Sequence, residues 1–253
     1  MAYAQIEKPT DRVLMPTQTW GLGQADFQFA KGANLYLQAV SKLYFTNEGR
    51  EYTKNNQILF GNSLRLGFEL PFTKQSLFGI RAQSSWERDS QILSFSPYLI
   101  RYAKIKSLTF GQRLLFQYDK TNTSFSSSKS QLAGLVFLSK DFKIFEKKAS
   151  WLLGFEVFKD LTKKRVGEER RFFAQTRWIF GIDYYLSQKL SFGVFSQLST
   201  EYYFALALYD ELGKEIKPDR KLNLNAPVLG VLVRYRFGKA DAKSSNFPYS
   251  LFF

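Results

Sequence analysis

The chain has 253 residues, of which 45% are hydrophobic and 17% aromatic, and its formal net charge is +14. It contains no histidine and no cysteine, which excludes disulfides, thiolate chemistry and the Ser-His and Cys-His nucleophile arrangements. There is no run of about twenty apolar residues, so a transmembrane helix is not expected. We therefore predict that the chain is not an enzyme and that it has no catalytic residues, no metal site and no cofactor.

The amino-terminal region lacks the regular pattern of the rest of the chain. Ala2, Tyr3 and Ala4 followed by Gln5 are typical of the small-residue site that ends a secretory signal. We interpret residues 1–4 as a signal-peptide remnant. Residues 5–33 are predicted to form an amino-terminal lead-in or partial plug.

Apolar and polar residues then alternate with a period of two, which places them on opposite faces of a strand. In the second such segment, Leu66 and Phe68 share one face. Arg65 and Glu69 share the other. The predicted strands are residues 35–46, 58–70, 77–86, 91–103, 108–118, 131–139, 151–158, 172–185, 190–204 and 228–237.

An even number of such strands predicts a closed antiparallel transmembrane β-barrel over residues 34–238. Connections on one side are mostly short, and those on the other are mostly long and polar, as periplasmic turns and extracellular loops are. Ten strands would leave both termini on the periplasmic side. A strand at residues 20–29 would need a twelfth near residues 12–15, against which Pro9 and Pro16 argue; twelve strands is the alternative.

The last predicted strand carries the pattern of an insertion signal, a glycine followed by hydrophobic or aromatic residues at alternate positions: Gly230, Val233, Tyr235 and Phe237. On these residues the chain resembles the bacterial outer-membrane β-barrel class. The resemblance implies a location in the bacterial outer membrane and contact with its lipid. Residues 239–253 depart from it by following the signal, and we interpret them as a periplasmic tail. The tail residues suited to partner contact are Phe247, Tyr249, Leu251, Phe252 and Phe253.

The inward rows of the predicted strands carry a charge cluster with more arginines than carboxylates. Its members are Arg65, Glu69, Arg81, Arg113, Glu156, Arg177, Asp183, Glu201 and Arg234. A barrel of about ten strands is little wider than its packed side chains, so we expect these charges to pair and fill the interior. The lysines gather at the short connections and form no aromatic-lined basic surface, which argues against a nucleic-acid partner.

Two functions follow from this interpretation. The first is a noncatalytic barrel that acts as a membrane anchor or as a subunit of a larger outer-membrane assembly, with other outer-membrane or periplasmic proteins as partners. The alternative is a small porin-like channel that favours anionic solutes because surplus arginines line it.

Overall fold

The structure of the chain, a computed structural model, describes residues 10–29, 32–44, 59–87, 90–122, 127–163, 172–205, 207–209, 215–217 and 220–238. The strands are β1 (Thr10–Leu14), β2 (Gln18–Gln28), β3 (Asn34–Tyr44), β4 (Leu59–Thr73), β5 (Ser76–Glu87), β6 (Ser90–Ile105), β7 (Leu108–Asn122), β8 (Ser127–Ile144), β9 (Lys147–Asp160), β10 (Gln175–Tyr185), β11 (Leu190–Ala205), β12 (Leu208–Tyr209), β13 (Glu215–Lys217) and β14 (Arg220–Phe237). Within these ranges no helix is long and apolar enough to cross a membrane.

Eleven of the strands close a barrel. Strands β2 to β11 pair antiparallel with their sequence neighbours, and β14 pairs antiparallel with β11. The ring closes because β14 also pairs parallel with β2, from Val228 opposite Gln18 to Phe237 opposite Phe27. The prediction of an all-β closed barrel is confirmed, and the strand count lies between the ten and twelve considered from sequence.

The predicted lead-in at residues 5–33 is wrong for its described part, which belongs to the barrel wall. Strand β2 is a full member of the ring, and β1 extends the same seam by pairing parallel with the first part of β14. Pro16 lies in the break between β1 and β2, but the Met15 amide donates to the Asn225 carbonyl at 2.8 Å. The prediction failed because it assumed an even number of strands. A barrel that closes through a parallel pair of strands can have an odd number.

Strand β14 runs parallel to β1 and β2, so the described chain enters and leaves the barrel at opposite ends. We call these the loop end, where β1 begins, and the turn end, where β14 finishes. The expectation that both termini lie on one side is therefore wrong for the barrel as described. Residues 1–4 and the proposed partner tail at 239–253 lie outside the described residues.

The residues left between the predicted strands 131–139 and 151–158 form a paired hairpin at the turn end. Strands β8 and β9 stay in register from Asp141 opposite Ser150 to Ile144 opposite Lys147. Only Phe145 and Glu146 remain in the turn, with φ of 45° and 63°. Pairing of β7 with β8 ends at Lys140, and four more residues of β8 follow, so the hairpin tip projects about 13 Å past the end of that pairing, at about 3.3 Å per residue. We call residues 141–150 the projecting hairpin.

The barrel exterior is apolar along the rows predicted to face lipid. Leu66, Phe180 and Val233 expose 50%, 45% and 48% of their surface. Aromatic side chains are exposed near the strand ends, among them Trp86 and Trp178. Since a closed barrel satisfies its backbone hydrogen bonds internally, such an exterior suits hydrocarbon on all sides.

The interior combines polar side chains with one contiguous apolar cluster built from strands around the whole ring. Its buried members are Leu22, Val40, Leu77, Tyr98, Ile100, Leu115, Ala133, Leu135, Phe137, Leu152, Phe158, Ile179, Phe195, Val228 and Leu232. The interior residues selected from the sequence were all charged, and this apolar cluster was not among them.

Four aromatic rings lie flat against inward glycines on the neighbouring strand. The directly paired residues are Tyr36 with Gly67, Tyr98 with Gly79, Phe137 with Gly111, and Phe195 with Gly230. A Cβ added at any of these glycines would come within 1.9 to 2.2 Å of the ring carbons. The missing side chains therefore make room for the rings and fix the strand register.

Candidate functional site in the barrel interior

All nine charged residues selected from sequence lie on the inward rows, because each shares the strand parity of buried neighbours. Six of them are buried: Glu69, Arg81, Arg113, Glu156, Asp183 and Arg234. The other three, Arg65, Arg177 and Glu201, are partly exposed. The strands that carry them are β4, β5, β7, β9, β10, β11 and β14.

Glu156 is held between two arginines. Arg113 donates from Nη2 to Glu156 Oε1 at 2.6 Å, and Arg177 donates from Nη1 to Oε2 at 3.0 Å. The Glu156 side chain is only 1% exposed, so each carboxylate oxygen needs such a partner to offset the loss of water. Sequence reasoning selected all three residues but could not assign the pairing across β7, β9 and β10.

A chain of three hydrogen bonds that ends in an ion pair connects Arg65 on β4 to Arg234 on β14. Arg65 Nη1 donates to Gln38 Oε1 at 2.8 Å, and Gln38 Nε2 donates to Gln24 Oε1 at 2.9 Å. Gln24 Nε2 donates to Asp26 Oδ1 at 2.8 Å, and Asp26 Oδ2 lies 3.2 Å from Arg234 Nε. The Asp26–Arg234 ion pair crosses the parallel seam.

Sequence reasoning missed Gln24 and Asp26 because it placed them in the lead-in. The signal was present but weak: Leu22, Gln24 and Asp26 alternate as inward residues should. The outward row of the same strand holds Gly21 and Gly23 instead of large apolar residues, so the lipid face that marks other strands is faint here.

The carboxylates of Glu69 and Asp183 differ in their partners. Tyr98 donates from its hydroxyl to Glu69 Oε1 at 2.8 Å, and Asn34 Nδ2 donates to Glu69 Oε2 at 3.3 Å. Asp183 is 2% exposed, and among the described residues neither of its carboxylate oxygens has a hydrogen-bond partner. Arg234 is the buried arginine within electrostatic reach of both carboxylates.

The arginines are concentrated in a different part of the interior. Arg65 is within electrostatic reach of Arg81, Arg113 and Arg177, which project from β5, β7 and β10. We call these four residues the arginine cluster. Glu201, near the loop end of β11, interacts electrostatically with Arg177 and accepts a hydrogen bond from the Tyr203 hydroxyl.

The predicted insertion signal lies on β14 beside the seam. Val233, Tyr235 and Phe237 are exposed on the outer face, whereas Gly230 faces inward beneath the Phe195 ring. Phe237 stacks on Phe27 of β2 with ring centroids 4.8 Å apart and planes at 8°. The aromatic outer row of the last strand thus contacts the first full strand of the ring.

A closed barrel with an apolar exterior and a partly polar interior is the architecture of bacterial outer-membrane proteins. The chain is an outer-membrane β-barrel protein by this fold, and its location is the bacterial outer membrane.

No family model matches the chain, and no curated protein matches it in sequence. Solved structures similar to it include a NanC porin in a rhombohedral crystal form, with 10% identity and a TM-score of 0.44 over 85% of this chain and 91% of the porin. LpxR from Salmonella typhimurium is similar with 10% identity and a TM-score of 0.43, over 85% of this chain and 87% of LpxR. At this level the likeness concerns the fold alone.

Proposed function

We propose that this barrel is a noncatalytic membrane anchor or subunit of a larger outer-membrane assembly, and that it does not conduct solutes. The observation that carries the proposal is the contiguous apolar cluster inside the ring. Five of its side chains, which project from different parts of the barrel wall, expose 5% or less of their surface: Leu22, Leu115, Leu152, Ile179 and Leu232. A water-filled path would leave such inward side chains exposed to solvent.

The size of the barrel supports the same proposal. Open aqueous channels belong to barrels of about sixteen strands, whereas about eight strands enclose only packed side chains. This barrel has eleven strands, and tyrosines, phenylalanines and arginines point into it. It therefore resembles the eight-stranded barrels with packed interiors more than the open channels. The absence of histidine and cysteine removes the usual general base and the thiolate nucleophile, which supports a noncatalytic role.

The projecting hairpin supplies a contact surface suited to a partner. Phe145 at its tip is 91% exposed. A two-residue turn with positive φ at both positions normally takes Asn or Gly, so Phe145 and Glu146 sit there at a conformational cost. Lys143, Lys147 and Lys148 flank them. An exposed aromatic ring among lysines suits an acidic partner surface with an apolar recess.

A pull-down from native membranes with the detergent-solubilised protein tests the anchor role. We expect a stoichiometric outer-membrane or periplasmic partner with the wild type and loss of that partner with Phe145→Asn, because Asn accepts positive φ and preserves the turn. Leu161→Asn is the matched control, since Leu161 is exposed at the opposite end of the barrel. Absence of a partner for the wild type would contradict the proposal.

One observation favours the alternative, a narrow channel for anionic solutes: the arginine cluster has more positive charges than the carboxylates around it can neutralise. Planar-bilayer recordings distinguish the two functions. We expect no unitary current steps from the purified barrel. Reproducible anion-selective steps that disappear with Arg65→Gln would replace the anchor proposal with the channel.

A further inference from the structure

The arginine cluster has a charge surplus that the described residues do not neutralise. It contributes four cations, and the carboxylates that interact with it are Glu156, between Arg113 and Arg177, and Glu201, beside Arg177. Glu69 lies on the neighbouring strand, but its oxygens accept from Tyr98 and Asn34. The cluster therefore carries two more positive charges than its carboxylates offset.

Arg81 is the member without a partner. It is 9% exposed, and in the described part of the chain it forms no ion pair and its Nε has no hydrogen-bond acceptor. A guanidinium has five N–H donors in a rigid planar fork. Burying it without an acceptor is unfavourable, and Arg65 adds repulsion as a neighbouring cation. The missing group is an acceptor with negative charge.

The members of the cluster interact with one another across the interior of the barrel. Arg65 and Arg81 belong to adjacent strands, while Arg177 belongs to β10 on the facing wall, yet Arg65 interacts electrostatically with both. Arg177 lies near the start of β10 at the loop end, and its side chain is 22% exposed. Arg177 is therefore a buried-rim member of the cluster that keeps part of its side chain open to solvent.

We propose that the arginine cluster binds one small soluble oxyanion, a phosphate or carboxylate group, inside the loop end of the barrel. Planar guanidinium groups match the oxygen pairs of such anions in bidentate geometry. The ligand is a solute and not a lipid headgroup, because these arginines lie on the inward rows and apolar side chains cover the outside. This site needs no open channel, so it is independent of the proposed anchor role.

Isothermal titration of the full-length protein, in a neutral detergent free of lipid and in a phosphate-free buffer, tests the proposal. Inorganic phosphate and acetate are titrated separately, and we expect at least one to bind with a stoichiometry of one. Arg81→Gln should weaken that binding by about tenfold or more, the effect of losing a charge-assisted hydrogen bond. Arg101→Gln removes the same charge from the exposed outer face of β6 and should change it by less than about twofold.

A stability measurement separates a binding role from a structural one. Without added anion, Arg81→Gln should unfold at a urea concentration no lower than that of the wild type, because it removes an unpartnered buried cation. Phosphate or acetate should then raise the midpoint of the wild type more than that of the variant. Arg81→Lys keeps the positive charge but loses the planar guanidinium group, so it should bind the anion more weakly than the wild type does. This variant replaces Arg81→Gln in the experiment if Arg81→Gln does not fold.

Three results would overturn the proposal. One is the absence of saturable binding of either anion to the wild type. Another is equal affinity in the wild type and in whichever Arg81 variant folds. The third is binding that appears only when phosphatidylglycerol is added to the detergent, since that would identify a lipid headgroup as the ligand.

Discussion

Replacement of Gly111 by alanine is expected to destabilise the barrel although it adds only a methyl group. The new Cβ would lie 1.9 Å from Cζ of Phe137. A normal carbon–carbon contact of about 3.5 Å would require the ring to retreat by about 1.6 Å. Phe137 is 2% exposed and belongs to the apolar cluster of the interior, so its neighbours have to move with it.

The expected magnitude combines two opposing effects. Overpacking of a closely packed interior costs about 1–3 kcal/mol, and replacing glycine in a strand returns about 0.5–1 kcal/mol of chain entropy. Gly111→Ala should therefore lower the free energy of unfolding by about 1 kcal/mol, the difference of the two midpoints, and by no more than about 2.5 kcal/mol. Gly23→Ala is the matched control, because a Cβ at Gly23 meets nothing within 4 Å; it should leave stability unchanged or raise it by up to about 1 kcal/mol.

Urea titration of the barrel refolded into lipid vesicles, followed by tryptophan fluorescence and by heat-dependent gel mobility, measures these differences. Phe137→Leu supplies a second control: with the ring removed, Gly111→Ala should cost less than it does in the wild type, a coupling that a double-mutant cycle detects. Equal stability of Gly111→Ala and Gly23→Ala would refute the argument that the glycine makes room for the ring.

Three other predictions test the seam and the lipid face. Asp26→Ala removes the carboxylate beside buried Arg234, and urea titration should show a loss of about 3–5 kcal/mol; a loss below about 1 kcal/mol would show that the ion pair does not matter. Val233→Arg places a charge on the outer face, and membrane fractionation should show less inserted barrel, because a charge near the bilayer midplane costs about 2–4 kcal/mol. Gly23→Cys combined with Val233→Cys, directly paired across the parallel seam, should form an intramolecular disulfide under oxidation, visible as a shift on a non-reducing gel; a barrel without that seam would not form it.

Local alternation is what the sequence by itself determined. A strand with one face toward lipid and the other toward a polar interior must repeat every two residues. Ten strands, the outward position of Leu66 and Val233 and the inward position of Arg65 and Glu156 could therefore be predicted without coordinates. The same information located charged residues of the interior such as Arg65, Glu156 and Arg234, because each lies between large apolar or aromatic neighbours on its own strand.

Only the tertiary structure decided how the ring closes. Strand β2 shows little alternation on its outer face, and its role follows from β14, more than two hundred residues away in the chain, which it meets in parallel. That contact makes the strand count odd and brings Asp26 to Arg234.

The contacts between interior side chains were also decided by the tertiary structure alone. Glu156 contacts Arg113 and Arg177 because strand stagger aligns three separate strands. Arg81 forms no ion pair with any carboxylate in the part of the chain that the structure describes. Residue patterns along one strand report which face a side chain occupies, since that depends on local backbone geometry. They do not report its neighbours across the barrel, since those depend on the register and closure of all the strands together.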